Sequence, residues 1–322
     1  MTVAPQGPSP EPLWFRADQV EAARRRWWSG DVFVHGILRR AHAARERTDR
    51  DQIGALAVIA LVESSVSAAQ ALVDLLAGTT LPAQDLGVAH LGLQVAVAQD
   101  CCRGLIDDSR SQTLRETADA VLARLRSAPS SHNPHAVQNN WWGVVHGGAL
   151  LAALCADHHG DHDEQIRWAL GRCRAFSQHF GPAGLYHEGL GYELYTLSHL
   201  LPALAAADQR GLIDLAGECP WVRSLAHSLY AATVPAPSPP ESADDTSGAG
   251  LLLSWNDAGL SWWSGIVSPL ALHYADPLRR PALRAWSRRL EGPDSPDPHA
   301  YGAWEGWPFA VVLDDERDDL AP

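Results

Sequence analysis

Lysine is absent from the chain. All 25 basic side chains are arginines, set against 38 aspartates and glutamates, and the formal net charge is −13. That balance argues against nucleic acid as a partner, because a polyanion is held by a basic footprint that releases counterions. The same field repels a polyanionic sugar at long range unless arginines line a cleft and reverse it locally. Cysteine is scarce: there are five, two of them adjacent (Cys101 and Cys102), with no CxxC pair. An odd count in this pattern argues against a disulfide framework and for reduced, mostly buried thiols. Long apolar runs are missing as well. The best one, residues 53–73, is interrupted by Glu63, Ser64, Ser65 and Gln70 and falls short of the roughly 18 to 20 residues of a membrane span. The opening MTVAPQGPSPEPLW has neither a basic n-region nor an apolar h-region, so a soluble cytoplasmic protein is expected. Alternation of period two is almost absent, which counts against a sheet-based fold.

What is present is enough apolar residue, 46% of 322, to bury a sizeable core. Residues 11–28, 31–46, 51–76, 86–105 and 111–127 each carry apolar side chains at helical spacing, with short Asp, Gly, Pro or Ser punctuation between them. Further helices are expected over 139–156, 165–180, 194–206, 221–232, 276–290 and a segment ending at Tyr274. Long helices joined by short loops predict an all-α chain of antiparallel hairpins, arranged as a bundle, a solenoid or a closed ring. Residues 1–10 read as a Pro-rich lead, 11–315 as one domain, 234–250 (VPAPSPPESADDTSGAG) as a mobile loop, and 316–322 as a frayed acidic tail. In the first helix, Arg24, Arg25 and Arg26 beside Trp27 and Trp28 read as a solvated basic helix end or as a sugar-acid contact.

Polar chemistry is concentrated in residues 133–196. Asn139 and Asn140 precede the run WWGVVHGGALLAAL, and one of them suits a helix N-cap. Either also offers an amide to a ligand. His146 lies six residues after Asn140 and can share its helix face, either as a core histidine bonded to a carbonyl or as a base. His187 and Glu188 fall in the Gly-bracketed loop GPAGLYHEGLG; Glu188 suits a helix cap or a cleft. Tyr192 and Tyr195, three apart, are neighbours on one face. The glycines and alanines of 143–153 allow another element or a ligand close to the backbone. Of the pair Trp141 and Trp142, one indole is expected inside and the other free to stack on a sugar ring. The crowded turn DHHGDHDE, residues 157–164, lacks metal-ligand spacing and reads as a solvated connection, so no metal is expected.

Four stretches together resemble the heparinase II/III-like polysaccharide lyases and their alginate- and oligouronide-cleaving relatives. Residues 96–122 resemble the family's helix pair with an Arg-bearing second helix, and NNWWGVVHGGALLAAL its Asn-Trp helix. FGPAGLYHEGLGYELYT resembles its Asp-Gly-x-Tyr-x-Glu-Gly-x-x-Tyr loop and helix, with Ala183 at the Asp position. LSWNDAG, residues 253–259, resembles a later Asn-x-x-Asp-x-Gly turn, with Asn256 and Asp257 adjacent here. Where the alginate-cleaving relatives often carry His after the paired Asn, this chain has Trp141.

The resemblance implies an incomplete α/α toroid, here without the C-terminal β-sandwich that family enzymes carry, so that a separate β-sandwich chain is an expected partner. It also implies eliminative cleavage of a uronate-containing saccharide without a cofactor. That reaction needs a donor to neutralise the carboxylate, a base for the C5 proton and an acid for the leaving oxygen. The expected catalytic residues are Tyr192, His146, His187 and Glu188; those expected to bind substrate are Asn139, Asn140, Trp141, Trp142, Tyr195, Asn256 and Asp257. Two other readings stay open: a toroid that binds a saccharide or small polar metabolite without cleaving it, and a glycoside hydrolase, for which paired acids beyond Glu188, Glu193 and Asp257 are not evident.

Overall fold

The computed structural model describes residues 11–46, 51–128, 137–157, 160–234, 251–252, 265–291 and 306–313. Among these, regular structure is helical apart from a two-residue antiparallel pairing of Thr233–Val234 with Leu251–Leu252. In chain order the helices are α1 (Ala17–Trp28), α2 (Val32–Ala44), α3 (Asp51–Glu63), α4 (Val66–Ala77), α5 (Asp85–Cys101), α6 (Asp108–Arg126) and α7 (Asn140–Ala156), followed by α8 (Asp163–Ser177), α9 (Leu190–Gln209), α10 (Leu215–Glu218), α11 (Val222–Ala231), α12 (Val267–Tyr274), α13 (Arg280–Glu291) and α14 (Trp307–Leu313). The chain is all-α, as its periodicity predicts. Residues 1–10 and 316–322, and all of the Pro/Ser-rich stretch except Val234, lie outside the described residues.

The structure differs from the periodicity in three places. Residues 51–76 form two helices rather than one, because Ser64 takes a left-handed φ of 55° and Ser65 restarts the chain by accepting the Ala68 N–H at 3.3 Å. Residues 11–16 are not helical. WPFAVVL, too short for a periodic signal, forms α14.

The helices fall into two kinds. In α7 every residue except Trp141 is buried, and α5 and α9 are buried on most sides. In contrast α6 buries a single stripe, Leu114, Ala118, Val121, Leu122 and Leu125, the spacing of a helix with one face to water. α7 packs against α5, α6, α8 and α9; α5 also meets α3, and α9 meets α12. α12 meets α11, α13 and α14, and α14 meets α1 and α3. Buried apolar residues from Leu13 to Leu313 form one continuous core cluster.

Glycines set the tightest of these contacts. A Cβ on Gly147 would lie 2.8 Å from the His199 carbonyl atoms, and one on Gly148 would lie 2.7 Å from Ala89. α5, α7 and α9 therefore meet backbone to backbone, which only residues without a side chain allow.

The N-terminal segment is fixed by a carboxylate. Buried Asp100, near the end of α5, accepts the backbone N–H groups of Leu13, Trp14 and Phe15 at 3.0, 3.0 and 2.9 Å. Burial pushes its carboxyl up, opposed by Arg103 and by these three bonds. The Trp14 indole donates to the Pro202 carbonyl at 2.8 Å, and Phe309 of α14 packs edge-on against both Trp14 and Phe15, with ring centroids 4.9 Å apart in each case.

Candidate functional site

The loop before α9 is tied to the start of α7. Asn139 is the N-cap of α7, its side-chain oxygen accepting the Trp141 N–H at 2.9 Å. The Asn140 N–H is instead taken by a carboxylate oxygen of Glu188, at 3.0 Å across 48 residues. Glu188 thus caps the neighbouring helix rather than its own, bringing an anion to the positive end of α7. Thr196 from α9 places its hydroxyl 3.5 Å from the Asn140 carbonyl. The Asn140 residue itself is buried.

The loop holds its shape through Gly184 and Gly189, with φ of 81° and 103°, and through two aromatic and carboxylate anchors. Tyr186 is buried against Phe176 and Phe180; its hydroxyl donates to the Gln138 carbonyl, and burial, with Glu188 beside it, raises its phenol above the ordinary range. Its backbone N–H donates to Glu193 at 2.9 Å. Glu193 is fully buried, its other oxygen has no hydrogen-bond partner among the described residues, and burial pushes its carboxyl up to about 8. At neutral pH it is a protonated acid.

The expected site residues divide as follows. Tyr192 and Tyr195 are half-buried on one face of α9; His187 is exposed, its ring edge-on to Tyr186 at 4.5 Å. Glu188, Asn139 and Asn140 meet at the loop. Trp141 is 48% exposed beside them, whereas Trp142 is buried, donating to the Arg172 carbonyl at 3.3 Å under the Arg172 guanidinium. His146 belongs to a different layer. It has no exposed surface, its Nδ1 lies 2.9 Å from the Trp142 carbonyl, and its ring packs on Trp142 and on Trp168 of α8. A base must reach its proton within hydrogen-bond distance, so this placement corrects the reading of His146 as a cleft base: it is a packing residue between α7 and α8. Asn256 and Asp257 lie outside the described residues.

Two residues that the sequence reading passed over stand beside Tyr195. His90 of α5 has Nε2 3.2 Å from the Tyr195 hydroxyl, and its ring meets that of His199 edge-on at 4.5 Å. For His199 the signal was available: Tyr192, Tyr195 and His199 recur at i, i+3 and i+7, one helix face.

In the acidic turn, Asp157, Asp161 and His162 bring ligand-type atoms within 4.8 Å of one another. His162 is already engaged at both ring nitrogens, by Asp161 at 2.8 Å and Asp119 at 2.7 Å. Partial burial lowers its pKa, but these two bonds outweigh that and raise it. The turn is thus an ion-paired knot that joins α6 to α8. No helix among the described residues is long and apolar enough to cross a membrane. No protein-family model matches the sequence, and no curated protein matches it.

Proposed function

We propose that the chain is an incomplete α/α toroid of the heparinase II/III-like kind, which binds a uronate-containing oligo- or polysaccharide at the starts of α7 and α9 and cleaves it by β-elimination. The observation that carries this reading is the join of Glu188 to Asn140, with the Tyr192 and Tyr195 phenols half-buried on the adjoining face of α9. The order of helix contacts supports a ring. α3, α5, α7, α9, α12 and α14 follow one another and α14 returns to α3, while α2, α4, α6, α8, α11 and α13 each pack on one or two of these.

In this reading the exposed Asn139 at the start of α7 offers its amide to the uronate carboxylate, which acidifies the C5 proton. Tyr192 takes that proton, exposed His187 protonates the leaving oxygen, and Trp141 and Tyr195 line the sugar. The elimination itself calls for no cofactor. The protein works in the cytoplasm, and a separate β-sandwich chain is the partner that would cover the mouth.

One observation favours the second reading, a toroid that binds a saccharide without cleaving it: the burial of His146 removes one of the expected proton carriers. Incubation with a panel of polyuronates, followed by the absorbance of the unsaturated uronate product, decides between them. Product that disappears in Tyr192→Phe supports elimination. Saccharide binding without product from any polyuronate supports the binding reading.

A further inference from the structure

The interior of the fold holds an imidazole with one nitrogen left open. His199 has no exposed surface, and its Nε2 meets no hydrogen-bond partner among the described residues. Its tautomer follows from its neighbours. The Ser198 hydroxyl lies 2.7 Å from the Tyr195 carbonyl and 2.9 Å from His199 Nδ1. Of these two oxygens only the hydroxyl can donate, so its proton is committed to the carbonyl and its oxygen accepts from His199. The imidazole proton therefore sits on Nδ1, and Nε2 carries a bare lone pair in the core, an arrangement that costs free energy unless something binds it.

The His199 ring is in contact with two others that carry donor groups, those of His90 and Tyr195. His90 packs edge-on at 4.5 Å, and its Nε2 is 3.2 Å from the Tyr195 hydroxyl oxygen. Ligand atoms of a tetrahedral site with bonds of about 2.0 Å are about 3.3 Å apart, which matches this spacing. We propose that His199, His90 and Tyr195 form a binding site for a divalent transition-metal ion of the zinc class. His199 Nε2, His90 Nε2 and the Tyr195 oxygen are its ligands, the His90–Tyr195 hydrogen bond gives way to two metal bonds, and the phenol proton is released to solvent.

Two features agree with this assignment. Metal-bound histidines as a rule donate their second N–H to an oxygen that fixes the ring, and Ser198 stands in that place. Imidazole and phenol donors select Zn²⁺, Co²⁺ or Cu²⁺ over Mg²⁺ and Ca²⁺, which prefer carboxylates, carbonyls and water. His199 lies seven residues, about 10 Å, beyond Tyr192 on the same face of α9, and the net charge of −13 draws cations.

The test uses tag-free full-length protein stripped with a chelator. Calorimetric titration with Zn²⁺ should give one bound equivalent, weakened at least about 100-fold by His90→Gln or His199→Gln and roughly 10- to 100-fold by Ser198→Ala. His162→Gln should leave that binding unchanged, which separates it from the Asp157/Asp161/His162 turn. Wild-type protein loaded with Cu²⁺ should show hyperfine coupling to two imidazole nitrogens, a readout that does not depend on any variant folding. Absence of stoichiometric binding, binding that survives both core histidine substitutions, loss confined to His162→Gln, or coupling to fewer than two nitrogens overturns the proposal. None of these readouts requires the protein to cleave or bind a saccharide.

Discussion

Glu193 is the group through which pH should act most strongly on this fold. It is fully buried, accepts the Tyr186 N–H with one oxygen at 2.9 Å, and offers the other to no partner among the described residues. Burial lifts its carboxyl from an ordinary value of 4.5 to about 8. Because the folded value is the higher one, its contribution to stability is fully present below 4.5 and is lost as pH rises through 8. At 1.36 kcal/mol per pH unit, the whole interval is worth about 5 kcal/mol, of which about 3 kcal/mol falls between pH 5.5 and pH 8. That is a large fraction of the 5–15 kcal/mol typical of a folded domain. Glu193→Gln keeps an oxygen for the Tyr186 N–H and removes the titration. Urea unfolding across this pH range should therefore show the variant gaining on the wild type by about 3 kcal/mol as pH rises. A stability difference that stays constant with pH would refute the reasoning, because it would mean that Glu193 has the same pKa folded and unfolded.

Asp100→Ala leaves three buried N–H groups without their acceptor and should cost about 4 kcal/mol in chemical unfolding; a loss below about 1 kcal/mol would show that the segment at residues 13–15 rebinds elsewhere. Gly147→Ala drives a methyl group into the His199 and Leu200 backbone and should destabilise by about 1–3 kcal/mol through forced separation of α7 and α9, read as a fall in the thermal midpoint; an unchanged midpoint would mean that these helices can slide apart freely. Arg174→Ala, which removes an exposed pair with Glu218 held by two 2.7 Å bonds, should change stability by less than about 1 kcal/mol, and a larger loss would show that this pair anchors α10. In the elimination reading, Tyr192→Phe should abolish product formation while leaving saccharide affinity within a fewfold, since it deletes a proton carrier and keeps the ring; equal loss of both would make Tyr192 a binding residue.

The helices were legible because apolar spacing is a local property. Leu114, Ala118, Val121 and Leu125 announce α6 without any knowledge of their neighbours. The break at Ser64 was harder to see, since apolar periodicity runs through it and only a single left-handed residue ends α3. The small-residue content of α7 pointed to close approach, and Gly147 and Gly148 make that contact. The polar residues resisted because a side chain's direction depends on helix phase. Asn140 and His146 share a helix, yet the Asn140 backbone N–H meets Glu188 whereas the His146 ring packs on Trp168. His90 was invisible because its partners Tyr195 and His199 lie more than 100 positions away, a pairing that no local pattern encodes. Glu193 read as one more acid near a loop, and only its burial made it a protonated one.

The seam at α14 bears on how the chain reaches its native state. Phe309 is the ring on which Trp14 and Phe15 rest, and α14 touches α1 and α3 as well as α12. During synthesis, then, a face formed from residues 14 and 15 waits for residues almost 300 positions later. Until residues 307–313 emerge, Trp14, Phe15 and the adjoining surface of α3 present apolar area to the cell, which is where a chaperone would bind and where a stalled chain would aggregate. Contacts of such long sequence separation also slow folding, because loop closure precedes the burial that compensates for it. Loss of the seven residues of α14 would remove the piece that joins α1 and α3 to α12.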